Sequence, residues 1–153
     1  MQDELGTRAT ALFESGFHCA EAVAAAVMER FGNGNAAGDA VEAGRLAAAA
    51  FGGGIGKSHE GICGCMAGGL VALGLLQGRR APGLDWQPLA DLAVAFRDAF
   101  ASAEGSQLCG PLLAAYGPQD NMDKCKLMAG RAAALLARMI GDAGGAPGTV
   151  RRD

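Results

Sequence analysis

Apolar residues recur at helical spacing along almost the whole chain. Leu5, Ala9, Leu12, Phe13 and Gly16 fall on one face of a first helix, and Cys19, Val23, Val27 and Phe31 on one face of a second, predicted over 17–31. The glycines at 32 and 34 interrupt the pattern, and Asp39 is placed to cap a third helix ending near Phe51. A loop rich in glycine follows over 52–61. A fourth helix is predicted from about Ile62 to Gly78, ahead of Arg79 and Pro82. The fifth, over 87–103, carries Leu89, Leu92, Ala93, Phe96 and Phe100 at helical intervals. Pro111 suits the first turn of a short helix, and a long last helix is expected from about Asn121, with Met122, Cys125, Met128, Ala132, Leu136 and Met139 along its stripe. Past Gly141 the sequence reads as a frayed tail over 141–153. The expected architecture is all-α: one compact domain over 1–140, a bundle of about five to seven helices around a central glycine-rich one.

Composition strengthens that picture. The chain of 153 residues holds 33 Ala and 16 Leu, but only 12 Val, Ile and Thr together, which favours helices over an extensive sheet. The segment 61–78 carries no charge. With six glycines and Gln77 among its 18 residues, it falls short of the ~20 predominantly apolar residues of a membrane span, so no membrane span is expected and it reads as a buried helix. Gly64, Gly68, Gly69 and Gly74 each cost a helix interior about 1 kcal/mol relative to Ala, and close approach of a neighbouring backbone should offset that cost. A net charge of −3, one Trp, one Tyr and no basic run leave neither an electrostatic footprint nor a stacking platform for nucleic acid. Asp3, Glu4, Arg8 and Glu14 interrupt any signal-peptide core in the first 16 residues, which makes the cytoplasm the expected location.

The run Gly52-Gly-Gly-Ile-Gly-Lys-Ser58 imitates a phosphate loop, but Phe51 stands where the first glycine is required and a helical segment precedes it. A tight turn between helices, with positive φ at several positions, fits better. Five cysteines are too few and too odd in number for a secreted disulfide scaffold, and point to core thiols, metal binding or redox chemistry. Cys63 opens the fourth helix and Cys109 precedes Gly110-Pro111. Both therefore lie at helix starts, where free N–H groups and the helix dipole favour a thiolate. Cys19 and Cys125 fall on apolar stripes and are expected to point inward. The four could meet at one interior site, with Cys63 approaching Cys109 and with Cys19 and Cys125 near; the alternative is four small buried hydrophobes. Cys65 lies two residues from Cys63, and within a helix such residues diverge by about 200°, so it reads preferentially as a small packing residue. His59 could neutralise a thiolate or add a ligand. His18 and Lys57 read as solvated neighbours of the cysteine positions. Gly53, Gly54, Gly56, Gly64 and Gly68 are the backbone positions expected to let the loop and the helix start close on the thiols.

In this order the segments Gly16-Phe-His-Cys19-Ala-Glu-Ala-Val23, Phe51-Gly-Gly-Gly-Ile-Gly56, Cys63-Gly-Cys-Met-Ala-Gly68 and Leu70-Val-Ala-Leu-Gly-Leu75, with Cys109 and Cys125 after them, resemble a family of small redox-active proteins. That family is named for its C_GCAxxG_C_C pattern of four spaced cysteines. The resemblance runs from about Phe13 to Ile140 and implies redox activity, with Cys19, Cys63, Cys109 and Cys125 as the matching cysteines. Where the family usually has Ala, this chain has Cys65, which leaves a resolving thiol or a neutral substitution open. Three functions follow. One is thiol–disulfide or electron-transfer chemistry with a redox partner, in which Cys63 or Cys109 attacks and a neighbouring cysteine resolves. Another is a metal protein in which the same four thiolates hold zinc or an iron–sulfur cluster. The third is a helical interaction module with incidental thiols.

Overall fold

The computed structural model describes residues 2–32 and 37–143. Among them run seven α-helices: α1 (Gln2–Glu14), α2 (Cys19–Phe31), α3 (Ala37–Ala48), α4 (Gly64–Gln77), α5 (Gln87–Glu104), α6 (Cys109–Tyr116) and α7 (Asp123–Asp142). A single 3-10 turn, Ala49–Phe51, extends α3, and there is no strand among the described residues. The all-helical expectation therefore holds. Of the tail expected over 141–153, residues 141 and 142 continue α7 and those from 144 onward lie outside the described residues. No described helix is long and apolar enough to cross a membrane.

The glycine-rich helix α4 is central, as its lack of charge implied, and it shares the centre with the alanine-rich α2. Small residues let the two backbones close on each other: a Cβ on Gly68 would run into the carbonyl oxygen of Ala20. On its far side Gly69 receives the edge of Phe96, whose ring would lie 2.7 Å from an added Cβ. The cost of glycine in α4 is thus offset by contacts that Ala would prevent. A second close crossing joins α1 to α7. A Cβ on Gly6 would approach the Gly130 oxygen to 2.9 Å, and one on Gly130 the Gly6 oxygen to 2.9 Å. Phe96, Phe100, Met66, Leu73, Leu136, Val23 and Val27 are fully buried between these layers.

Several helix boundaries differ from the sequence reading, and three bear on the site and its surroundings. Helix α2 starts at Cys19, not at 17, because His18 is extended (φ −85°, ψ 172°) and the Glu21 carboxylate accepts its N–H at 2.9 Å, a reciprocal cap that fixes the first turn. Asp39 lies in the first turn of α3 instead of capping it. Helix α4 starts at Gly64, since Ile62 pairs across an isolated antiparallel bridge with Leu108.

Candidate functional site

All five cysteines are free thiols and all five line one cavity of about 410 Å³. Three backbone devices bring them there. In the bridge between Ile62 and Leu108, the Cys63 N–H donates to the Gln107 oxygen at 2.8 Å and the Cys109 N–H to the Gly61 oxygen at 3.0 Å. Side chains alternate across such a bridge, so Cys63 and Cys109 share the face opposite to Ile62 and Leu108. The approach of Cys63 to Cys109 expected from sequence follows from this pairing. Its diagonal register corresponds to about 7–8 Å between α-carbons.

The loop after α3 is the second device. Gly53, Gly54, Ile55, Gly56 and Lys57 are consecutively left-handed, with φ between +56° and +67°, and His59 adds +62°. Left-handed backbone costs a residue with a Cβ about 1–2 kcal/mol, so Ile55, Lys57 and His59 hold real strain. Internal hydrogen bonds stabilise the turn: Lys57 N–H to the Gly52 oxygen at 3.0 Å, His59 N–H to the Gly53 oxygen at 3.0 Å, and the Ser58 hydroxyl to the Gly54 oxygen at 2.7 Å. Its effect is to turn the Gly53 N–H onto the Cys19 sulfur and to lay Gly54 against the Cys109 side chain, where a Cβ would collide. The several positive-φ positions expected here are present.

The third device is the start of α4. Cys63 is its N-cap (φ −59°, ψ 131°), so its sulfur turns back over the N–H groups of Cys65 and Met66. Gly64 then leaves room for the Cys19 sulfur, which a Cβ would strike.

Electrostatics sort the five thiols into two classes. Cys19, in the first turn of α2, is held down to about 6: the Cys65 thiol proton favours its thiolate, burial opposes, and the N–H groups of Gly53, Ala20 and Cys19 itself add to the pull. Cys63 is also lowered, by the Cys65 thiol first, against burial and the nearby Cys19 charge, with help from the Cys65 and Met66 N–H groups. Cys65 itself is driven well up, because it donates to Cys19 and Cys63 and is completely buried. Cys109 is pushed up to about 11 by burial and by its anionic neighbours. Burial likewise raises Cys125, partly offset by Gln119, whose amide donates to Cys125 Sγ at 3.3 Å and accepts the Cys125 N–H at 2.9 Å.

Several sequence expectations change accordingly. Cys19 points inward as its stripe required, packed against the core with its sulfur at Gly64. It is also a half-buried thiol at a helix start, and it, not Cys109, joins Cys63 as a thiol whose ionisation is favoured. The helix start does not activate Cys109, because burial and like charge outweigh the dipole of an eight-residue helix. Cys65 is packed in the core with 0% exposure, as expected, and it is also the donor shared by Cys19 and Cys63. The divergence argument failed because Cys63 lies outside the helix, where its cap geometry brings it back to Cys65. Cys125 is buried on α7 as its stripe required. His18, Lys57 and His59 stand exposed around the cavity. Gln119, Glu14 and Lys126 were missed. Only Lys126 left a signal, as a cation within the apolar stripe of α7.

Among the described residues, no three His, Cys, Asp or Glu side chains sit where one metal ion could bind them. A site for a single zinc ion on Cys19, Cys63, Cys109 and Cys125 is therefore not pre-formed among them. Residues 17–139 match the model of a protein family described as "Putative redox-active protein (C_GCAxxG_C_C)". No curated protein and no solved structure matches the chain.

Proposed function

The chain belongs to the C_GCAxxG_C_C family, and from that premise we propose that it is a thiol–disulfide oxidoreductase whose attacking atom is Cys19 Sγ. One observation carries this reading: Cys19, the least buried of the five thiols, is held as a thiolate in one cavity with Cys63, whose thiol is also lowered, and with the raised Cys65 thiol. A thiolate is the nucleophile in disulfide exchange, and a thiol near or below ambient pH is well matched to the task.

The steps balance without a further reactant. Cys19 Sγ attacks one sulfur of a substrate disulfide, forming a mixed disulfide and releasing the other sulfur as a thiolate. Cys65 supplies the proton that this leaving group takes up. Either Cys63 or the newly deprotonated Cys65 then attacks Cys19 Sγ, which releases the second substrate thiolate and leaves an intramolecular disulfide. The substrate disulfide is reduced by two electrons and the cysteine pair oxidised by two; run backwards, the same steps oxidise a dithiol. Cys109 and Cys125, both kept protonated at neutral pH, stand behind this pair as thiols that can accept the disulfide by exchange.

The test is trapping. Reduced protein is treated with a limiting small disulfide at pH 7, quenched with acid and mapped by peptide mass spectrometry. Mixed disulfide on Cys19, accumulating when Cys63 and Cys65 are both Ser, supports the assignment. Adducts on Cys109 or Cys125 with Cys19 unmodified would refute it.

A further inference from the structure

Of the charged side chains that line the cavity, Glu14, Lys57 and Lys126, one is buried and has no part in disulfide exchange. This is Lys126, with only 8% of its side chain exposed. Its ammonium lies 5.9 Å from the centre of the Phe13 ring and 2.9 Å from Glu14 Oε2. A buried ammonium requires a counter-charge, but the one it has is a carboxylate whose own side chain is 63% exposed. Such a partner can return to water at little cost and be replaced by another carboxylate. Phe13, Phe17, Leu112, Leu113, Met122 and Met128 give the cavity an apolar wall, while the exposed His18, Lys57, His59 and Asn121 also line it. At about 410 Å³ the space falls within the ~300–1,000 Å³ of small-molecule sites.

We propose that this cavity binds a small carboxylate-bearing disulfide or thiol, its carboxylate paired with Lys126 in place of Glu14, its body against the apolar wall and its sulfur at Cys19. The proposal rests on Cys19 as the attacking thiolate and adds the substrate's chemical class. The apolar wall and the single interior cation select together: a neutral disulfide forgoes the ion pair, and a highly charged peptide forgoes the wall.

Two aromatic disulfides of similar reach separate these requirements, the dianionic 5,5′-dithiobis(2-nitrobenzoate) and the neutral 2,2′-dithiodipyridine. Each forms a mixed disulfide on Cys19 and releases one coloured arylthiol or thione, so the rate is read directly. The quantity measured is the ratio of the dianionic to the neutral rate at one pH, which cancels changes in thiolate fraction. Lys126→Met is expected to lower this ratio about tenfold, the loss of one charge-assisted hydrogen bond. Glu14→Gln should raise it by freeing the ammonium. Lys124→Met, which removes the same charge from the exposed surface beside it, should leave it within about twofold, since surface charge is screened. An unchanged ratio in Lys126→Met, or an equal fall in Lys124→Met, overturns the proposal. If Lys126→Met does not fold, an unchanged ratio in Glu14→Gln overturns it instead. Failure of the neutral reagent to modify Cys19 in the unaltered protein refutes the disulfide-exchange reading itself, independently of Lys126.

Discussion

Replacing Cys65 with Ala removes the donor that contributes most to lowering both Cys19 and Cys63. A hydrogen bond to a charged acceptor is worth about 1.5–3 kcal/mol, and one pKa unit corresponds to about 1.36 kcal/mol. The Cys19 midpoint should therefore rise from about 6 by roughly 1–2 units, to about 7–8. At pH 7 its thiolate fraction then falls from about nine-tenths to between about one-half and one-tenth. Iodoacetamide alkylation across pH 4–10, resolved at Cys19 by peptide mass spectrometry, reads this directly. The midpoint is the decisive quantity, because intrinsic nucleophilicity rises with pKa with a slope of about 0.4–0.5 and masks part of the rate change. Cys65→Ser supplies the control, since a hydroxyl donates in the same place and should keep the midpoint near that of the unaltered protein. A Cys65→Ala midpoint still at about 6 would refute the donor role and leave the helix-start N–H groups as the whole cause.

Gly64→Ala would drive a methyl group onto the Cys19 sulfur and to 3.1 Å from the Phe51 oxygen; it should cost about 1–3 kcal/mol of stability and raise the Cys19 midpoint, and an unaltered Tm would contradict the packing described. Stability should also depend on pH through the thiols. Cys19 ionises at about 6 in the folded protein against an ordinary 9, so the unfolded chain holds more protons between these values and stability rises with pH across that window, by up to about 4 kcal/mol, being lost as pH falls through 6. Cys109, raised to about 11, acts oppositely and removes stability as pH climbs from 9 toward 11. Urea midpoints measured at intervals from pH 6 to 9 should rise, and Cys19→Ser should flatten that rise; an identical slope in the variant would refute the assignment. Arg131→Ala strips the forked partner, at 2.8 and 3.0 Å, from the 8%-exposed Glu104 side chain, and urea unfolding should show a loss of about 2 kcal/mol, below that of a fully buried pair because Arg131 is half exposed.

The helical order of this chain was legible because its apolar spacing is regular and its glycines punctuate it. The central position of α4 could be read from an 18-residue run without charge, and the left-handed turn from glycines that fit no nucleotide motif. The spacing placed the start of α5 at 87 but could not carry the starts of α2 and α4 to within two residues. That small offset decided the chemistry. Moving the start of α2 from 17 to Cys19 puts a stripe residue at a helix start, and placing Cys63 outside α4 makes the buried Cys65 a donor shared by two sulfurs as well. Cys109 shows the converse limit. Its position was foreseen, but its ionisation depends on burial and on three neighbouring thiols that only the folded chain brings together. Gln119 bonds Cys125 from a loop with no periodicity to mark it, and the bridge between Ile62 and Leu108 joins residues 46 positions apart.

The central claim, that Cys19 works with Cys63 and Cys65 as one redox-active set, is tested most directly by the disulfide the protein forms. The reduced protein would be equilibrated with reduced and oxidised glutathione at a series of ratios, quenched with acid, and its disulfides mapped by mass spectrometry. The account predicts one intramolecular disulfide containing Cys19, joined to Cys63 or Cys65, that appears and disappears as a single two-electron transition. A first disulfide that excludes Cys19, or only glutathione adducts scattered over the five cysteines with no internal bond, would contradict it.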